Sequence, residues 1–225
     1  GTHYFYQIYA HTAVLGNGWG AGTWGRGTWS SGTDISAAGD KLRIWSHDNF
    51  GEDLIINARN GGIFYWDKST NASAFLPAVA ISDLSGADST TPTIAKQVLV
   101  SDRDRHIIAF GCDPQNNVGT QDPLLIRFSD QENPLVWESQ ATNTAGDLRI
   151  GSGSEIITAV ETRQQILVFT DRSLHAMQFL GPPFTFGISL ISENITIASP
   201  LSAIAVDDSV YWMGREEFYV YSGQV

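Results

Sequence analysis

Short apolar or alternating runs recur along the chain, separated by Gly, Asp, Asn and Ser. They are rich in Val, Ile, Phe, Tyr and Trp, which fit a pleated, half-buried surface, so each run predicts a β-strand. No stretch keeps apolar residues at i, i+3, i+4 and i+7 over three turns, and helices are not expected. The runs fall into four clusters. The first is Leu42–Trp45, Asp53–Asn57 and Ile63–Asp67, with Asn60-Gly61-Gly62 as a turn. Asn-Gly tolerates the positive φ that a tight hairpin needs. The second is Gln97–Val100, His106–Phe110, Leu124–Phe128 and Leu135–Trp137. The third is Ile156–Val160, Gln165–Phe169 and Leu174–Phe179, turning at Asp171-Arg172-Ser173. The fourth is Ala203–Val206, Val210–Met213 and Phe218–Tyr221, turning at Gly214-Arg215-Glu216.

The clusters start near residues 42, 97, 156 and 203. Irregular repeats of three or four strands at about 50 residues are the pattern of propeller blades, which bury their faces only against neighbours. The expected fold is all-β, with β-propeller-like repeats of about four blades, one domain over residues 1–225 or a part of a larger propeller. A β-sandwich uses the same strand vocabulary and is the alternative. The last cluster lacks a strand, which Tyr4–Tyr9 supplies unless the chain is a piece of a longer protein; opening on Gly1 agrees with the second case.

Some segments break the pattern. Residues 16–41 and 68–94 read as loop-rich, the first with Trp19, Trp24 and Trp29 five residues apart. Residues 180–187 hold a double proline, which has no N–H to give a ladder and so predicts a break.

Charge and cysteine content narrow the function classes. The net charge is −11, from 13 Lys+Arg against 24 Asp+Glu, so wrapping nucleic acid by phosphate neutralisation is disfavoured. Only 16% of residues are charged and 11% are aromatic, a composition that buries surface rather than staying disordered. The single Cys112 forms no internal disulfide. No apolar run of about 18 residues occurs, so no membrane-spanning helix is predicted and membrane insertion is not expected.

Candidate chemistry is sparse. Gly20-Ala21-Gly22-Thr23-Trp24-Gly25 matches a dinucleotide fingerprint in letters, but Arg26-Gly27-Thr28-Trp29 does not start the helix that would hold a pyrophosphate. Trp19, Trp24 and Trp29 offer flat faces for a sugar or a partner chain, or plug the core. Asp102 and Asp104, among Arg103, Arg105 and His106, read as a solvated hairpin turn with local ion pairs, or as polar contacts in a binding site. The five histidines show no metal spacing, and His175 and Cys112 read as packed core groups. No catalytic or cofactor motif is present, and neither a catalytic residue, a metal nor a cofactor is expected.

Several strings resemble the β-propeller tail nozzle (tail tubular protein B) and related virion proteins of short-tailed bacteriophages. They are Gly18–Gly25, Trp45–Leu54, Phe128–Pro134, Thr144–Leu148, Phe169–Leu174, Phe179–Pro183 and Tyr211–Gly214. The resemblance implies a non-enzymatic structural protein of the phage tail, made in the host cytoplasm and carried in the virion. It implies assembly with copies of itself into a six-fold ring, contacts with tail adaptor and tail-fibre proteins, and a channel for DNA ejection. An acidic wall lets a duplex slide where a basic one would hold it. The expected interaction residues are Trp19, Trp24, Trp29, Asp102 and Asp104, with ring contacts in residues 16–32 and 69–92. A carbohydrate-binding or glycan-hydrolysing propeller is the competing reading, and a cellular protein-interaction propeller a third.

Overall fold

Period-two alternation becomes four antiparallel sheets, each a meander whose strand order follows the chain. The computed structural model describes residues 44–70, 76–181 and 183–223. The first sheet is β1 (Trp45–Phe50), β2 (Asp53–Ala58), β3 (Ile63–Trp66) and β4 (Val79–Ala80). The second is β5 (Gln97–Val100), β6 (Ile107–Phe110), β7 (Leu125–Phe128) and β8 (Gly146–Arg149). The third is β9 (Ile156–Glu161), β10 (Ile166–Thr170), β11 (Ser173–Gly181) and β12 (Thr185–Glu193). The fourth is β13 (Ala203–Val206), β14 (Ser209–Met213) and β15 (Phe218–Tyr221).

The first strands of successive sheets are neighbours: β1 lies beside β5, β5 beside β9, and β9 beside β13. Sequential meanders with adjoining first strands make the architecture propeller-like, whereas Greek-key sandwiches join non-sequential strands. The core is a series of layers between sheets. Ile55, Ile63 and Tyr65 of the first sheet pack with Val98, Val100, Ile107 and Ala109 of the second. The other face of the second sheet, with Ile108, Phe110, Ile126 and Phe128, packs on Ile156, Ile166, Val168 and Met177. Leu167, Phe169, Leu174 and Ala176 then meet Val210, Trp212 and Tyr221 of the fourth. Inner sheets are apolar on both faces, which is why β6, β7 and β10 are buried at every residue.

The outermost described faces differ. The far face of the fourth sheet exposes Ile204, Val206, Tyr211, Met213, Phe218 and Val220, with Phe218 84% exposed. The far face of the first carries exposed Trp45 and half-buried Leu54, Ile56, Phe64 and Trp66.

One expectation needs correction and two gain detail. Leu135–Trp137 is not a strand: the Trp137 indole is buried and its N–H donates to the Pro134 carbonyl at 2.9 Å. The fourth strand of that sheet is β8, which reads as polar because it is an outer strand of alternating exposure. Gly146 is required there, since a Cβ would come within 2.7 Å of the Phe128 ring. The ladder stops short of the prolines as expected: β11 ends at Gly181 and β12 starts at Thr185, with Phe184 N–H donating to the Gly181 carbonyl at 3.2 Å between the two nine-residue strands. The connection over 68–94 is irregular for most of its described length. It holds β4 and a 3-10 turn at Ile81–Asp83, and its Asp88 carboxylate accepts the N–H groups of Trp137 and Glu138 at 2.5 and 2.9 Å.

Buried Arg127 on β7 orders the irregular chain around the second sheet. Its guanidinium donates to the carbonyls of Thr90 (2.6 Å), Asp113 (3.3 Å) and Trp137 (3.0 Å). Three loops with no strand partner thereby converge on one charge.

Candidate functional site

Among the described residues, the first strand of each sheet has an edge with no strand hydrogen-bonded to it, and its backbone groups need other partners. Side chains of the preceding sheet supply them. Val98 N–H donates to Ser46 Oγ at 3.1 Å, and Val100 N–H to the Asp48 carboxylate at 2.8 Å. From the opposite direction, Asp102 N–H, just past β5, donates to Glu161 Oε1 of the following sheet at 3.2 Å. The Arg59 guanidinium, just past β2 of the first sheet, reaches the first strand of the third and donates to the Ile157 carbonyl at 2.8 Å.

This arrangement gathers acidic groups at the C-terminal ends of the first strands. Asp48 stands on β1, Asp102 and Asp104 follow β5, Glu161 ends β9, and Asp207 follows β13. Arg163 bridges Asp207 at 2.9 Å. Burial, and then the neighbouring charges of Asp102, Asp48 and Asp104, push the Glu161 carboxyl up to about 7 against the backbone bond that favours its anion. Burial also raises Asp48. A shallow cleft opens beside them. It is bounded by the β5–β6 turn (Arg103, Asp104), the β9–β10 turn (Glu161, Arg163) and the aromatic floor of Phe179 and Phe186. Its free volume is about 80 Å³. Small-molecule sites typically offer about 300 Å³ or more, so the cleft suits water and ions rather than a saccharide.

Among the described residues, no three His, Cys, Asp or Glu side chains are placed to hold one metal ion. The Asp102–Asp104 turn is a hairpin turn as expected, closed by Ser101 N–H to the His106 carbonyl at 2.9 Å. Its ion pair is not within the turn: Arg105 reaches Glu132 at 3.3 Å. Asp104 lines the cleft, while Asp102 meets Glu161 through its backbone. Trp19, Trp24 and Trp29 lie outside the described residues.

Sequence reasoning missed Glu161 and Asp48. The signal was present only as one carboxylate near the end of each first strand, which has meaning once those strands are known to adjoin. It did place two other groups. His175 is a packed imidazole, 3.3 Å from Ser152 Oγ and held neutral by burial. Cys112 is fully buried, and burial pushes its thiol up.

No family model matches the chain, and no curated protein matches it. Among solved structures the chain is similar to the crystal structure of Kluyvelomyces marxianus Hsv2, with 7% identity and a TM-score of 0.37. The match covers 80% of this chain and 52% of that one, so the chain spans about half the length of that protein. A likeness so distant carries no information on function.

Proposed function

We propose that this chain is a structural assembly module of a short-tailed bacteriophage tail, part of a nozzle-like ring around the DNA path. The observation that carries the assembly reading is the far face of the fourth sheet. Six large apolar side chains stand open there, on a sheet whose other face is an ordinary core layer. Isolated exposed apolar residues are normal, but a contiguous apolar sheet face marks an interaction surface. The far face of the first sheet is also apolar, though half-buried apart from Trp45, and it is chemically different. Two unlike faces make a heterologous contact, the kind that closes a ring by rotation.

The viral part of the reading rests on the resembling strings. Those at Phe169–Leu174, Phe179–Pro183 and Trp45–Leu54 fall on hairpin turns of the sheets, where backbone geometry restricts the residues. The acidic ends of the first strands support a path that does not grip DNA. The cleft beside Asp104, with about 80 Å³ of free volume, is small for a sugar ring, which favours the assembly reading over the glycan one.

Sedimentation and electron microscopy of the purified chain test assembly, and immunogold labelling of virions tests its place. Rings that dissociate when Ile204 and Phe218 become serine, and gold at the distal tail, are expected. A wild-type chain that stays monomeric at about 100 μM, or label away from the tail, overturns the reading.

A further inference from the structure

His106, the residue before β6, is fully buried, yet only one of its ring nitrogens has a partner among the described residues. Nδ1 meets the Ser129 carbonyl at 2.8 Å, so it carries the proton and donates. Nε2 is then a bare acceptor with nothing to accept from. Around the ring stand Phe128 of β7 at a centroid distance of 6.2 Å, Phe179 of β11 at 6.1 Å and Phe186 of β12 at 5.2 Å. None of the three phenyl rings offers an oxygen to a second N–H. The imidazole is seated as a neutral aromatic ring, and its charged form would be buried there without an acceptor.

Two of these rings belong to the far half of the β11–β12 hairpin. β10 pairs with β11 only as far as Met177, so beyond it β11 has β12 as its one strand partner among the described residues. Side chains tie this half to the second sheet. Phe179 and Phe186 flank His106, and Phe186 meets Phe128 at 4.9 Å. The Thr185 hydroxyl donates to the Thr144 carbonyl at 3.0 Å. Thr144 is fixed in turn by Asp130, whose carboxylate accepts its N–H at 2.8 Å and its hydroxyl at 2.6 Å.

We propose that His106 is an acid-sensitive latch: when Nε2 takes a proton from solvent, the far half of the hairpin, Gln178 to Phe186, leaves the second sheet and water reaches the imidazolium. The carboxylates facing the ring are Asp104 of the β5–β6 turn and Asp130 beyond β7. From Ser173 to Ser192 the hairpin brings no Asp, Glu, Lys or Arg, and its His175 is held 3.3 Å from Ser152 Oγ. Arg127 on β7 is committed to backbone carbonyls, and Arg105, beside His106, pairs with Glu132 at 3.3 Å. Glu161 lines the cleft whose floor is Phe179 and Phe186. Burial holds the His106 ring below its ordinary pKa, against the Ser129 bond and the charges of Asp104 and Asp130. Despite partial burial, the bonds from Thr144 hold the Asp130 carboxyl below the ordinary carboxylate range, so the second tie does not titrate at pH 5. The latch goes beyond the assembly reading and does not depend on it.

Hydrogen exchange of the full 225-residue chain, corrected for intrinsic rates, tests the latch. The closed form is neutral and the open form has an ordinary histidine of pKa about 6.5, so opening should rise about tenfold per pH unit below that value. Protection of the amides from Gln178 to Phe186 should therefore fall about thirtyfold between pH 7.5 and 5. His106→Asn keeps an N–H for the Ser129 carbonyl and cannot titrate, so it should abolish this dependence. E161Q should keep it, which separates His106 from the nearby acid. Ring nitrogen NMR shifts of the wild-type chain need no variant to fold: Nε2 should gain its proton only in step with hairpin opening. Hairpin exchange that ignores pH, the same dependence in H106N, its loss in E161Q, or an imidazolium inside a still-protected hairpin overturns the proposal. So does opening spread equally over all four sheets.

Discussion

The side-chain amide of Gln97 meets both polar groups of the Ala159 backbone: Ala159 N–H donates to Gln97 Oε1 at 2.8 Å, and Gln97 Nε2 donates to the Ala159 carbonyl at 2.8 Å. One side chain thus stands in for a missing strand along the open edge of β9. Gln97 Oε1 also accepts from Thr158 Oγ1 at 3.0 Å. Gln97→Leu keeps the volume and leaves these partners unsatisfied. It should cost about 1–3 kcal/mol in urea unfolding, with the m-value unchanged.

Glu161 should make stability depend on pH. Its folded pKa of about 7 lies above the model-peptide range, so between pH 4.5 and 7 the folded state binds more protons than the unfolded one. Stability from this group is present in acid and lost as pH rises through 7. The group is part-exposed, so the effect after solvent screening is about 1 kcal/mol. Buried His106 and His175, whose pKa values are lowered by burial, act oppositely below pH 6.5. The informative quantity is therefore the difference between wild type and E161Q. The variant should be more stable at pH 8 and should lose that advantage at pH 5, read by chemical denaturation at each pH.

Arg127 should not tolerate lysine. Its fork reaches three carbonyls from three loops, and an ammonium on a flexible stem cannot span that spread. R127K should lose about 2 kcal/mol, and R127A about 3–5 kcal/mol, measured by thermal and urea unfolding. Hydrogen exchange should show the loss first at Trp137, whose backbone carbonyl the guanidinium holds.

Gly153 should be intolerant of alanine. Its φ is +96°, and a Cβ would come within 2.6 Å of Thr170 Oγ1 and 2.8 Å of Asp171 Oδ1. The neighbouring Ser154 N–H donates to that same carboxylate at 2.7 Å, which pins the turn. G153A should destabilise by more than about 1 kcal/mol, against a gain of up to that size where alanine fits.

The strands and their clusters were legible because alternation and β-branched composition act locally. The hairpins at Asn60, Asp171 and Gly214 were legible because turn chemistry is local too. Three features were not. β8 hides because Gly146-Asp147-Leu148-Arg149 is an outer strand with only one wall to lean on. Trp137 looked like strand because an indole is apolar, while its place depends on Asp88, 49 residues away, and on Arg127 of the neighbouring strand. The paired carboxylates Asp48 and Glu161 became a group only through the adjacency of β1, β5 and β9, which no window of sequence contains.

The chain-order meander has a consequence for synthesis. Every sheet is complete within one contiguous stretch, so a growing chain can form each one before the next emerges, with local pairing and little loop-closure cost. Yet each new sheet buries only the face turned to its predecessor, and its far face stays open until a successor arrives. Growth therefore proceeds in one direction, with a sticky front that advances sheet by sheet. A pause in translation leaves that front exposed, so slow codons or a missing chaperone should matter most at the boundaries after β4, β8 and β12.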